Sequence, residues 1–129
     1  MAQRKIQVAE GVAAVRQWAA DPKAASRSVR ATAVRYSLEE LAVLAPGRSV
    51  EVRVPPFGVT QIIAGTTHTR GTPPAVVETD AATWLALVSG QMSWDTAVAE
   101  GSVQASGQRT DLSQFFPLVK LERAPGPTR

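Results

Sequence analysis

The most constraining feature of this chain is the stretch over residues 78–107, ETDAATWLALVSGQMSWDTAVAEGSVQASG. Its start and stop signals follow so closely that they admit one local order: helix, turn, short helix, tight turn, strand. Asp80 stands just before an apolar run, where its carboxylate can accept from the free N–H groups of a helix beginning at Ala81. Trp84 and Val88 are one helical turn apart, with Leu85 and Leu87 beside them, so this helix buries one broad side. Gly90 follows the last periodic residue, where a left-handed C-cap is least costly without a Cβ. Ser93 can cap a second helix carrying Trp94, Ala97 and Val98, and Gly101 closes it. Val103 and Ala105 then alternate with Ser102, Gln104 and Ser106 as a half-buried strand.

Upstream, the spacing predicts a first helix over residues 4–20. Val8, Val12, Val15 and Ala19 form its stripe, with Trp18 on the flank, and Asp21-Pro22 ends it. Ser37 and Glu40 make a capping-box pattern that would start a short helix there. Ala31, Val34, Leu38, Leu41 and Ala45 instead share one face if a helix runs continuously from about Arg27. The longer period prevails, leaving Ser37 as a surface serine. The two helices form a hairpin over residues 4–45 that must lay its apolar face on something. Val50, Val52 and Val54 alternate with Glu51 and Arg53 as a half-buried strand, which Pro55-Pro56 prevents from continuing as a paired central one. Phe57-Gly58 leads into VTQIIAG, a second strand returning antiparallel. GTTHTRGTPP is a polar loop, and AVVET and SVQAS are the third and fourth strands. Asp111 and Gln114 read as a capping pair for a short helix presenting Leu112, Phe115 and Phe116 on one side.

These elements also carry a resemblance. Asp80, Trp84, Leu85, Gly90, Ser93, Ala97, Gly101, Val103 and Gly107, in that order and spacing, resemble the sterol carrier protein family. The segments RSVEVRVPPFG and HTRGTPPAVVETD resemble a bacterial branch of it, and the likeness covers about residues 27–118. It implies an α+β, sterol-carrier-like fold: a four- to five-stranded, mainly antiparallel sheet covered by helices. Residues 1–121 are expected to form one such domain, with sheet and helices over 48–118 and a flexible tail at 122–129. The resemblance also implies a cavity between sheet and helices that accepts lipid. The apolar residues expected to face that space are Phe57, Ile62, Trp84, Leu87, Val88, Met92, Val98, Phe115 and Phe116. Animal members commonly end in a peroxisomal Ser-Lys-Leu-type tripeptide, whereas this sequence ends Pro127-Thr128-Arg129.

Catalytic patterns are sparse. The 129 residues include no cysteine and one histidine, His68. Thiolate sites and histidine clusters are thereby excluded, and a Ser-His-Asp triad has a single candidate. No Gly-x-Ser-x-Gly elbow, Walker loop or dinucleotide fingerprint occurs. Glu78 and Asp80 end a strand and cap a helix, an arrangement unsuited to paired acid–base work. His68 and Arg70 share the polar loop and are possible contacts for an anionic headgroup, the planar arginine fork being suited to carboxylate or phosphate. The plainer reading of both is as loop residues.

The expectation is therefore a non-enzyme without cofactor or metal that binds a lipid or other apolar small molecule. The alternative is an accessory or interaction domain with a filled core. Residues 1–53 carry nine Lys/Arg against five Asp/Glu, the remainder five against six. That bias permits peripheral contact with an anionic membrane. The cations are scattered without interleaved aromatics, so no nucleic-acid partner is expected, while a protein partner or homodimer is possible. No apolar run approaches the ~18 residues of a bilayer span and residues 1–11 lack the core of a signal peptide, so the expected location is cytoplasmic.

Overall fold

The computed structural model describes residues 4–65 and 75–121. Among them, helices α1 (Val8–Ala20) and α2 (Arg27–Leu44) precede strands β1 (Val50–Val54), β2 (Gly58–Ile62) and β3 (Ala75–Thr79). Helices α3 (Ala81–Val88) and α4 (Trp94–Ala99), strand β4 (Val103–Ser106) and a single 3-10 turn (Ser113–Phe115) follow.

The architecture is α+β around a four-stranded mixed sheet of order β2-β1-β3-β4. β1 pairs antiparallel with β2 and parallel with β3, and β3 pairs antiparallel with β4. The parallel pair has a simple origin. Ile62, ending β2, and Ala75, opening β3, both pair with Val50, so β3 starts at the end of β1 where β2 finishes and runs opposite to β2. Period-two alternation then sorts the side chains. Val50, Val52, Val54, Ile62, Ala75, Val77, Thr79 and Val103 are buried on one face, while Glu51, Arg53, Val59, Gln61, Glu78 and Gln104 take the other. On that outer face Arg53 is ion-paired with Glu51 and lies 3.9 Å from Glu78. Ala105 has the same facing as Val103 by register, yet it is exposed, so the expected half-buried alternation of β4 holds only at Val103. The cover over the inner face stops there.

Helix ends obey their local signals. Asp80 Oδ1 accepts from Thr83 N at 2.7 Å, and Ser93 Oγ accepts from Thr96 N at 3.1 Å. Gly90 and Gly101 take φ of 81° and 74° at the ends of α3 and α4. A Cβ at Gly101 would meet nothing within 4 Å, so Gly101→Ala isolates the backbone cost. A loss of about 1 kcal/mol is expected in urea melts, and an unchanged midpoint would disprove the capping role.

Three expectations about the helices need correction. α1 begins at Val8 rather than residue 4, because the amides of Lys5 and Ile6 donate to Glu39 Oε1 at 3.0 and 3.1 Å instead of entering a helix. Its buried stripe is Gly11, Ala14, Val15 and Trp18, whereas Val8 is 48% exposed. Small residues form the contact because α1 lies close against α2, with the Tyr36 ring seated on Gly11. α2 is continuous, as the longer period implies, with Ser26 Oγ accepting from Val29 N at 3.1 Å. Ser37, however, is fully buried, not a surface residue.

At the C-terminal end, the Asp111–Gln114 capping pair does not form. Asp111 Oδ1 accepts from Ser113 N at 2.9 Å, only two residues on, and the chain completes a single 3-10 turn. That Ser113 N–H holds the Asp111 carboxyl below the usual carboxylate range. Leu112 is fully buried, and Phe115 and Phe116 pack partly buried against the core. The 122–129 tail lies outside the described residues.

Candidate functional site

The inner sheet face meets α2 and α3 through a continuous apolar core. Trp84, at its centre, has no solvent exposure. Indole is large and carries one obligate donor, so burying it demands an acceptor. Ser37 is that acceptor: Trp84 Nε1 donates to Ser37 Oγ at 2.8 Å, and Ser37 Oγ donates to Val34 O at 2.8 Å. The side chain of Trp84 therefore reaches from α3 to α2.

Phe116 extends this centre outward. Its ring meets Trp84 edge-on, with centroids 5.5 Å apart and planes at 84°, and stacks on Trp94 at 6.0 Å and 15°. Beside it lies a cleft of about 350 Å³ lined by Met92, Trp94, Phe116 and Pro117, with Ser93, Asp95 and Ser113 supplying polar groups. Phe116 thus lines the cleft on one side and touches buried Trp84 on the other. The segment that carries it is held just beyond the ring, where Val88 O accepts from Leu118 N at 2.9 Å and Val119 N at 3.1 Å.

A second cleft, of about 430 Å³, opens between α2, residues 5–6 and β2. Ile6, Leu38, Phe57 and Val59 give it apolar walls, and Lys5, Arg35 and Glu39 are its charged members. Phe57 is fixed by two arginines: Arg35 Nε donates to Phe57 O at 3.1 Å, and the Arg27 guanidinium lies 5.3 Å from the ring centroid. Near the N-terminal segment, Arg4 pairs with Glu40, which raises the guanidinium pKa. Burial is the main cause of the raised Tyr36 phenol, with the Glu40 carboxylate adding to it.

The residues singled out from the sequence therefore divide into groups. Met92 and Phe116 share the aromatic cleft, and Trp84 stands behind Phe116. Phe57 lines the second cleft. Ile62, Leu87 and Val88 are wholly buried, Phe115 is half-buried, and Val98 is 47% exposed on α4. His68 and Arg70 lie outside the described residues. Sequence reasoning overlooked Trp94, Leu38 and Ser37. Trp94 had a signal, an aromatic directly after the Ser93 cap on the side of buried Ala97. Ser37 had none, because its partner is 47 residues away. Among the described residues, no group of three or more His, Asp or Glu side chains could hold a metal ion, and no helix is long and apolar enough to cross a membrane.

A mixed sheet with one face buried under helices, and an aromatic cleft beside α4, defines a small α+β domain. Residues 26–118 match the family described as bacterial SCP ortholog, SCP standing for sterol carrier protein, and the chain belongs to that family. Helix α1 and the N-terminal segment precede the matched stretch. No curated protein matches the chain.

Proposed function

We propose that the protein binds and carries a lipid or other apolar small molecule, without catalysis, and that the aromatic cleft admits it. The observation that carries this reading is the place of Phe116, which lines a cleft of about 350 Å³ and meets buried Trp84 at 5.5 Å. Ligand pockets start near ~300 Å³, a size the cleft reaches, and its walls combine Met92, Trp94, Phe116 and Pro117 with the polar Ser93, Asp95 and Ser113. Family membership supports lipid carriage in general. Rotation of the Phe116 ring away from Trp84 would let an apolar chain follow it inward. Each buried methylene contributes about 0.8 kcal/mol, so after an association cost of at least about 4 kcal/mol an acyl chain of roughly fifteen buried carbons reaches micromolar affinity. Such a carrier would work in passing contact with an anionic membrane, drawn there by the basic excess of the N-terminal half.

Native mass spectrometry and tryptophan fluorescence titration with fatty acids, phospholipids and sterols test this. Affinity should rise with chain length until the cleft is full and change little with salt. Phe116→Ala should shift the preference toward longer chains by removing the ring from their path. If nothing binds more tightly than ~100 μM, about 5.5 kcal/mol, the carrier reading fails and the ligand-free accessory domain replaces it.

A further inference from the structure

The aromatic cleft has a charge of its own, opposite in sign to that of the chain. The chain carries a net charge of +3. Among the described residues, the cleft beside Phe116 is nevertheless lined by no lysine or arginine, and its charged member is Asp95. Its two hydroxyls are engaged within the chain. The Ser93 hydroxyl donates to Thr96 Oγ1 at 2.9 Å, and its oxygen accepts from Thr96 N at 3.1 Å. The Ser113 hydroxyl bonds to the Asp111 carboxylate. Ser93 thereby also occupies an α4 amide that would otherwise draw an anion.

Burial orders the same cleft from mouth to base. Asp95 is exposed, Trp94 is 8% exposed, and Trp84, which Phe116 touches, has no exposure. A guest whose tail follows Phe116 inward therefore leaves its polar end beside Asp95. A carboxylate or phosphate there meets a like charge, whereas an ammonium meets an opposite one. Aromatic rings such as those of Trp94 and Phe116 add attraction for a cation through their quadrupoles.

We propose that the guest of this cleft is an apolar molecule with a protonated amine at one end. Its ammonium lies beside Asp95 and its chain against Met92, Phe116 and Pro117. The inference rests on the carrier reading of the same cleft and adds the sign of the headgroup. Asp95 also has a plainer role, as an acid in the first turn of α4. That role alone predicts an effect on stability and none on headgroup preference.

Native mass spectrometry with tetradecylamine, tetradecanol and tetradecanoate, each kept below micelle-forming concentration, compares three heads on one chain. The amine should bind at least about threefold more tightly than the alcohol, and the carboxylate at least about threefold more weakly. A positively charged chain draws anions from a distance, so overall charge would give the reverse order. Asp95 is exposed, and Asp95→Asn should keep the circular dichroism spectrum while bringing the three heads within about twofold of one another. Glu100→Gln removes a charge at the other end of α4 and should leave the order unchanged. Three heads of equal affinity, a carboxylate that binds best, or an order that survives Asp95→Asn would each overturn the amine assignment and leave the carrier reading standing. If no head binds more tightly than ~100 μM, the alcohol included, both readings fall together.

Discussion

Trp84→Ala is expected to lower the unfolding free energy by about 3–5 kcal/mol, the range for deleting a fully buried large aromatic. Two effects combine there. The cavity removes the contacts of an indole with no solvent exposure, and Phe116 loses the ring it meets edge-on. Two companion variants separate packing from hydrogen bonding. Trp84→Phe keeps most of the volume and leaves Ser37 still donating to Val34, so it should lose much less than the alanine variant. Ser37→Ala strands the indole N–H in the core and should cost about 1–3 kcal/mol, although it removes a single oxygen. Urea denaturation of the three variants decides the matter. A silent Ser37→Ala, or a phenylalanine variant as unstable as the alanine one, would contradict this account.

Gly11→Ala is the second variant with a large expected effect, and its direction opposes local propensity. In an exposed helix interior the exchange would gain about 1 kcal/mol. Here a Cβ would fall 2.0 Å from Tyr36 Cγ and 2.3 Å from Cδ1, on a ring that is itself buried. Overpacking of that kind costs about 1–3 kcal/mol or more, and the clash includes Tyr36 Cβ at 2.6 Å, an atom that side-chain rotation does not move away. The net expectation is destabilisation by about 2 kcal/mol. Thermal and urea melts check it, and a stabilised variant would mean that α1 does not lie this close to α2.

Where sequence reasoning succeeded, cause and effect lie a few residues apart. Asp80 and Thr83, Ser93 and Thr96, and the alternation of Val50, Val52 and Val54 each rest on one turn or one pleat. The α1 stripe misled because hydrophobicity marks large side chains, while the closest helix contact selects Gly11 and Ala14 for being small. The α2 face was legible from its period. The burial of Ser37 was not, since only the docking of α3 supplies the indole that requires it. The Asp111 signal was real in chemistry but misplaced in geometry, its carboxylate reaching Ser113 in a turn rather than a helix. As for the candidate site, the apolar composition near Trp84, Met92 and Phe116 was visible, and Trp94 beside them was passed over.

The Val88 carbonyl carries a consequence for how the chain exchanges its protons. That one oxygen holds two amides, Leu118 and Val119, and residue 117 between them and Phe116 is a proline with no amide of its own. If the Phe116 segment swings outward, both bonds are released together at a single atom. Deuterium uptake at Leu118 and Val119 should then rise in step, while amides within α3, such as Leu85 and Val88, stay protected until the whole fold opens. The pair forms a local gauge of that motion, separate from global unfolding. A chain that fills the cleft should slow both amides by the same factor.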